Sequence, residues 1–211
     1  MDDLNLISQK FFGTKLDETF KQVLITNVEP IFLGIRGKGV VIRENKGFYP
    51  TSCLKISKKT FRLIKITPGN VILDVLKVIG SRVEKIFFIG IVGSLNEQKT
   101  IGEIVIPSEA VSLSNLSKPI MFWDQNRCFS GKICQVDGLI QEIKIYQRLL
   151  HKKVDFLDME SYYLATFGRK NNKKVKFIGV ISDKPFSNPF YKITKPIKIN
   201  YDTIISLIKN D

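Results

Sequence analysis

Two stretches of this 211-residue chain decide its fold, Lys85–Ile91 (KIFFIGI) and Val175–Ser182 (VKFIGVIS). Both are short and almost entirely apolar, which is typical of strands that are buried on both faces of a parallel sheet. Between such strands the sequence predicts helices, Val71–Ile79 and Ser161–Arg169 among them. Strands that alternate with helices predict a single α/β domain.

Further elements extend this pattern toward both ends of the chain. The predicted strands are Gln22–Val28, Thr60–Ile66, Ile101–Pro107, Gly131–Val136 and Val154–Leu157, and the predicted helices are residues 4–20, 137–150 and 201–209. Two segments are predicted to lack long elements: Gly34–Ser52, with three closely spaced glycines, as a loop or hairpin pair, and Ser112–Ser130 as irregular.

The composition excludes several classes of protein. With 44% hydrophobic residues and eight prolines, the chain can form one core and is not a disordered or collagen-like protein. Three cysteines (Cys53, Cys128 and Cys134) without a CxxC motif predict neither a disulfide framework nor a zinc site. The lone His151 is predicted to be a surface residue, so we expect no metal site. No apolar run is long enough to span a bilayer and the first residues are acidic, so we expect a cytoplasmic, soluble protein without membrane contact.

The net charge of +13 raises the question of a nucleic-acid partner. Most of the 33 Lys and Arg residues are scattered singly or in pairs among apolar residues, and the densest stretch, Arg169–Lys176, is predicted to be a loop. This distribution favours a solvated, lysine-rich surface over a nucleic-acid interface. It leaves open a phosphorylated nucleotide as substrate, which would recruit Arg36, Lys38 or Arg43.

Two carboxylates follow predicted strands. Glu160 comes shortly after Val154–Leu157, and Asp183 directly after Val175–Ser182. Because ligands of open α/β sheets bind at the carboxyl ends of strands, we expect these side chains to converge on one site. On their own, Asp183 also fits a turn cap before Pro185, and Glu160 a surface residue that opens a helix.

Five motifs in order carry a resemblance to a known family: GIVGSL at 90–95, IGEIVIP at 101–107, VDGLIQE at 136–142, LDMES at 157–161 and VISDKP at 180–185. In this order and spacing they resemble the nucleoside phosphorylase and nucleosidase superfamily. The resemblance covers roughly residues 60–185, and VLITNVEP at 23–30 resembles the family's opening strand. It implies a three-layer αβα domain with a central, twisted, mostly parallel mixed sheet over residues 21–211, with residues 1–20 as an N-terminal extension.

The resemblance also implies roles for individual residues. Asp183 would protonate the departing base, which requires burial to raise its pKa. Met159 and Glu160 would pack under the ribose and accept hydrogen bonds from its hydroxyls. The other residues of the implied substrate site are Ser182, the close-approach glycines Gly90 and Gly93, and Leu139 and Ile140, which stand where the family often has an aromatic and which equally fit the core of a helix.

The acceptor half of the site departs from the family pattern. Phosphorylases of the superfamily hold phosphate with an Arg and a Ser or Thr, where this chain has Phe88 and Ile91. Hydrolytic members place a Glu after the first strand to activate water, a position that falls on Ile31 here, with Glu29 two residues earlier. Arg36 and Arg43, in the glycine-containing segment, are candidates for a substitute anion site.

Together these features predict an enzyme that cleaves the N-ribosidic bond of a nucleoside or nucleoside derivative, by water rather than by phosphate. One alternative is a purine nucleoside phosphorylase with an atypical phosphate site, and another is a non-catalytic nucleoside-binding protein of the same fold. No cofactor is expected. The resemblance implies a homo-oligomer, with phosphate as a possible second ligand.

Overall fold

The structure is a computed structural model that describes residues 2–14, 21–80, 82–123, 131–138, 145 and 147–210. Its helices in these ranges are α1 (Asp2–Phe12), α2 (Glu29–Lys38), α3 (Val71–Ile79), α4 (Ser161–Asn171) and α5 (Tyr201–Lys209). Its strands are β1 (Gln22–Thr26), β2 (Val40–Asn45), β3 (Thr51–Ile56), β4 (Lys59–Lys65), β5 (Lys85–Ser94), β6 (Ile104–Val105), β7 (Glu109–Ser112), β8 (Asn115–Met121), β9 (Lys132–Gln135), β10 (Phe156–Asp158) and β11 (Lys174–Asp183). No described helix has the length and apolar character that crossing a membrane requires.

The strands form one mixed sheet with β5 at its centre. β5 runs parallel to β1 and to β11, and its last residues pair antiparallel with β10. From β1 the sheet continues through β4 and β3 to the edge strand β2, and from β10 it continues through β9 and β7 to β8. Because β1, β5 and β11 run in the same direction, their carboxyl ends lie at one edge of the sheet.

Helices cover both faces of this sheet. Along β5, Ile86 and Phe88 point into a core with α3 and α4, whereas Phe87 and Ile89 point into a second core with α2 and α5. Successive side chains of a strand point to opposite faces, so a strand in the middle layer must be apolar throughout. This explains why KIFFIGI contains almost no polar residue. The predicted three-layer αβα architecture is confirmed.

Local sequence signals fix where the helices begin and end. Pro30 stands in the first turn of α2, where its missing N–H has no cost. The side chain of Asn200 accepts a hydrogen bond from the Thr203 N–H at 3.1 Å and so caps α5. Asn172 ends α4 in the left-handed conformation, with φ of 51°. The sequence prediction for α3 and α5 is confirmed to the residue.

The N-terminal helix α1 packs against the rest of the chain. Phe12 is fully buried in the core on the α3 side of the sheet. The backbone carbonyls of Lys10 and Phe11 accept hydrogen bonds from the N–H groups of Phe48 and Tyr49 at 3.0 and 2.7 Å. The helix thus covers the segment between β2 and β3.

Two sequence predictions are wrong. The glycine-containing segment from Gly34 is not a loop at its start, because α2 runs through to Lys38. A Cβ atom at Gly34 would overlap the ring of Tyr201, so this glycine permits close packing between α2 and α5. The stretch that begins at Ser112 is not irregular throughout, because the antiparallel pair β7–β8 occupies most of its first half. Half of the predicted helix over 137–150 falls outside the described residues, and within the described half residues 145 and 147–150 are helical.

Candidate functional site

A cavity of about 680 Å³, which includes some open solvent, lies at the carboxyl ends of β1, β5, β10 and β11. Its lining is largely apolar and carries a few convergent polar groups; the lining residues are Asn27, Val28, Pro68, Ile91, Gly93, Leu157, Asp158, Met159, Glu160, Ser182, Asp183 and Phe190.

Asp183 is the last residue of β11 and is almost fully buried. Its Oδ1 accepts a hydrogen bond from the Ser182 hydroxyl at 2.5 Å, and its Oδ2 accepts one from the Phe190 N–H at 3.2 Å. The pairing of β11 with β5 shifts in register just before Asp183, which is how a strand re-aims a side chain at its end. Burial raises the pKa of Asp183 above its ordinary value, although both hydrogen bonds act against the rise.

Glu160 reaches the same cavity from the start of α4. Its Oε1 accepts a hydrogen bond from the Gly69 N–H at 2.5 Å, and its carboxylate also accepts one from the Asn27 side chain. The side chain is almost fully buried, and this burial raises the pKa of Glu160 to about 7. A carboxyl group with such a pKa is divided between its ionised and protonated forms at neutral pH.

Asp158 holds the turn between β10 and α4. Its Oδ2 accepts the N–H groups of Glu160 and Ser161 at 2.9 and 2.7 Å, which satisfies two donors at the helix start. Burial, and then the neighbouring charge of Glu160, raise the pKa of Asp158. We assign Asp158 the role of fixing the backbone that carries Glu160.

The two glycines of the GIVGSL motif differ in their surroundings. A Cβ atom at Gly93 would lie 3.0 Å from Pro185 Cγ and 3.6 Å from Asp183 Oδ1, inside the cavity wall. At Gly90, which is not among the lining residues, a Cβ atom would lie 2.7 Å from the Phe88 ring and 3.5 Å from Asn27 Oδ1. Gly90 therefore leaves room beneath the site.

The residues considered for an acceptor site do not line the cavity, Ile91 excepted. Glu29 forms an ion pair with Lys65 on the surface. Arg36 pairs with Glu44 at 2.5 Å, and Lys38 with Asp202 at 2.6 Å.

The remaining acceptor candidates are held in other places. Arg43 lies on the edge strand β2, in its exposed part. Ile31 and Phe88 are fully buried in the two cores. Leu139 and Ile140 fall outside the described residues.

Six lining residues were not among the predicted site residues: Asn27, Val28, Pro68, Leu157, Asp158 and Phe190. Asn27 lies within the predicted strand Gln22–Val28, which in the structure ends at Thr26, and Pro68 belongs to a stretch that was predicted only as a turn. Phe190, in a short 3₁₀ turn (Phe190–Lys192), contributes both its side chain and the N–H that binds Asp183. The available signal for Asn27 was its place near the carboxyl end of a predicted strand, whereas nothing local in the sequence marks Phe190.

The arrangement combines proton donors with acceptors in one largely apolar cavity. The raised pKa of Asp183 favours its protonated form, which is the form that can donate a proton, and Glu160 can accept hydrogen bonds from hydroxyl groups. The described lining residues include neither Lys nor Arg, so none of them can neutralise a bound phosphate. No group of three or more metal-ligating side chains occurs within the described ranges.

Comparisons with known proteins identify the fold. Neither protein-family models nor curated protein sequences give a match to this chain. Among solved structures, it is similar to AMP nucleosidase from Bacteroides thetaiotaomicron, with a TM-score of 0.73 and 17% identity over 98% of this chain and 94% of the other. It is also similar to 5'-methylthioadenosine/S-adenosylhomocysteine nucleosidase from Helicobacter pylori (TM-score 0.71, 16% identity, 90% and 97% covered).

A third similar structure is uridine phosphorylase from Vibrio fischeri (TM-score 0.68, 16% identity, 85% and 86% covered). These structures include both nucleosidases and a phosphorylase, and the likeness extends over most of each chain. At this identity the likeness establishes the fold and leaves the reaction to be argued from the site. The chain therefore has the fold that these nucleosidases and this phosphorylase share.

Proposed function

We propose that this protein cleaves the N-ribosidic bond of a nucleoside or nucleoside derivative, with water as the acceptor. The observation that carries the proposal is that Asp183 and Glu160, two buried carboxyl groups, line one cavity at the carboxyl edge of the sheet. The similar structures are named as enzymes that act on nucleosides or on AMP, which supports the same class of substrate.

In the proposed mechanism, the two carboxyl groups bind different parts of the substrate. Asp183 donates its proton to the departing base as the bond between base and ribose breaks, which prevents negative charge from building up on the base. Glu160 accepts hydrogen bonds from the ribose hydroxyls, with Met159 against the sugar, and so orients the ring. Water then adds to the resulting sugar cation and loses a proton, which replaces the proton that Asp183 gave to the base. The products are the free base and free ribose or its derivative.

The proposal of water as acceptor rests on the chemistry of the lining. Ile91 occupies the cavity wall where a phosphorylase of the superfamily would have a polar side chain, and the described lining carries three carboxyl groups but no cation. A phosphate dianion beside these groups would be repelled and would lack a bidentate partner. For the same reason we propose a nucleoside without a 5'-phosphate as substrate.

The experiment that tests the function is a base-release assay. A panel of purine and pyrimidine nucleosides is incubated with the wild type and with Asp183→Asn, with and without phosphate, and free base and sugar product are quantified. We expect wild-type release that is independent of phosphate, with free ribose as product. Loss of a general acid predicts a fall in kcat of about 10²–10⁴-fold for Asp183→Asn.

A matched control is Asp74→Asn, which removes an exposed carboxylate that pairs with Lys77 on α3. This variant should release base at the wild-type rate. Detection of ribose 1-phosphate as product would show that phosphate is the acceptor, and the proposal of hydrolysis would then be wrong. Binding of nucleosides without release of any base would favour a non-catalytic nucleoside-binding protein.

A further inference from the structure

Asn27 is a polar lining residue to which the proposed reaction assigns no role. It follows β1 directly, at the turn into α2, where the Thr26 hydroxyl accepts the Val28 N–H at 3.2 Å. The bond between Thr26 and Val28 spans Asn27 and holds its backbone at the cavity wall. The side chain of Asn27 is therefore presented to the cavity by a structured turn.

The contacts of the Asn27 amide show which atom is used. Its Oδ1 is buried and has no hydrogen-bond partner among the described residues. The hydrogen bond from the Asn27 side chain lowers the pKa of Glu160, so it favours the ionised carboxylate. An ionised carboxylate only accepts hydrogen bonds, so this bond is donated by Nδ2. Leaving a buried amide oxygen without a partner costs free energy, which indicates that the orientation is determined by the bond to Glu160.

The strand beneath the site makes room for this orientation. Asn27 Oδ1 lies 3.5 Å from the place where a Cβ atom of Gly90 would stand. Any side chain at Gly90 would also meet the Phe88 ring, so the glycine keeps a gap into which the amide oxygen fits. Asn27 and Gly90 therefore form one structural unit with Glu160.

We propose that Asn27 is a positioning residue that, together with the Gly69 N–H, clamps the Glu160 carboxylate so that its remaining lone pairs face the ribose hydroxyls. The inference rests on the proposed function only for the identity of the hydroxyls. The Gly69 N–H comes from the turn after β4 and the Asn27 amide from the end of β1, so donors on two elements hold one carboxylate. With one donor removed, the carboxylate loses both its orientation and part of the stabilisation of its charge.

The charged surroundings of Glu160 make this testable through its titration. The titratable groups that line the cavity with it are Asp158 from β10 and Asp183 from β11, and both are acidic. The lining residues from β1, β5 and the turn after β4 are uncharged. Among the described lining residues, hydrogen-bond donors alone therefore favour the ionised form of Glu160, and Asn27 is one of them.

The experiment measures the titration of the Glu160 carboxyl carbon by NMR in protein labelled with ¹³C at the glutamate side-chain carboxyl, with Glu160→Gln for assignment. It compares the wild type with Asn27→Ala and Asn27→Asp, of which the second is nearly isosteric. Asn70→Ala is the matched control, because this neighbouring asparagine is exposed and its side chain makes no cap hydrogen bond. The pH profile of kcat/KM for a nucleoside that the wild type cleaves is recorded in parallel.

We expect the Glu160 midpoint to rise by about one pH unit in Asn27→Ala and by more in Asn27→Asp, because the latter replaces the donor by a like charge. For Asn27→Ala, kcat/KM relative to the wild type should then fall about fivefold at pH 7 and recover by about pH 9. A purely structural role would lower kcat/KM by the same factor at every pH.

A midpoint in both Asn27 variants within about 0.3 units of the wild type would overturn the proposal. So would an equal shift in Asn70→Ala. The NMR titration needs no substrate, so failure of the proposed function, seen as absence of base release in the wild type, is distinguishable from failure of this inference. If Asn27→Ala does not fold, the nearly isosteric Asn27→Asp decides the outcome.

Discussion

The buried carboxyl group of Glu160 makes the stability of this protein depend on pH in an unusual direction. Its pKa is raised from 4.5 to about 7, so the folded state binds a proton that the unfolded state releases at lower pH. Below about pH 4.5, Glu160 is protonated in both states and does not lower the free energy of unfolding. The free energy of unfolding falls as the pH rises from about 4.5 to about 7, and above about pH 7 ionisation of this group changes it no further. Glu160→Gln removes the titration and should be stabilised relative to the wild type as the pH rises.

The magnitude follows from linkage. With a pKa of about 7 in the folded state and 4.5 in the unfolded state, ionisation of Glu160 costs about 1 kcal/mol at pH 5 and about 3 kcal/mol at pH 8. The free energy of unfolding of Glu160→Gln, relative to the wild type, should therefore increase by about 2–3 kcal/mol between these pH values. Removing the Glu160 charge also lowers the pKa of Asp158, which acts in the same direction.

The assay is urea unfolding at pH 5 and pH 8, followed by circular dichroism and by the fluorescence of the single tryptophan, Trp123. Glu103→Gln serves as control. The hydrogen bond from Lys99 lowers the pKa of Glu103, so its contribution to stability is present above its ordinary value and is lost only as the pH falls below it. The control difference should thus be the same at pH 5 and pH 8. A difference for Glu160→Gln that is likewise constant would refute the reasoning.

Three further predictions concern side-chain packing and can be checked by the same unfolding assay. Gly90→Ala should lower the free energy of unfolding by about 1–3 kcal/mol, because the new methyl group would stand 2.7 Å from the Phe88 ring. Phe12→Ala should cost about 3–5 kcal/mol if α1 is part of the core, and a cost below about 1 kcal/mol would contradict the packing of this helix. Gly34→Ala should cost about 1–3 kcal/mol by displacing Tyr201, whose hydroxyl donates to the Pro30 carbonyl at 2.8 Å, and Tyr201→Ala should suppress that cost in a double variant.

The sequence allowed the layers of the fold to be predicted because its buried strands are apolar on both faces. β5 and β11 could be predicted from the sequence, since a short run with so few polar residues is typical of a strand that is buried on both faces. The helix α2 was missed for the opposite reason. Gly34 and Gly37 weaken local helix propensity, and only the contact of α2 with α5 shows why a glycine belongs there.

The candidate site was predictable only where chemistry and strand ends coincide. Glu160 lies two residues after β10 and Asp183 is the last residue of β11. The two side chains line one cavity because both strands end there. The bond from Asn27 to Glu160 joins residues 133 positions apart, and the Phe190 N–H reaches Asp183 through a turn without regular structure. Such contacts depend on tertiary geometry, which local patterns do not contain.

The central position of β5 has a consequence for how the protein is made. Its pairing with β11 joins residues 89 positions apart, from Lys85 to Lys174, and the cavity closes only once Asp183 is in place. During translation, β5 is therefore synthesised well before β11, the strand with which it forms its longest pairing, and its apolar side chains are incompletely covered until β11 follows. Such a strand is exposed to aggregation, so we expect synthesis of truncated chains ending before β11 to yield insoluble protein, whereas the full chain can bury β5 on completion.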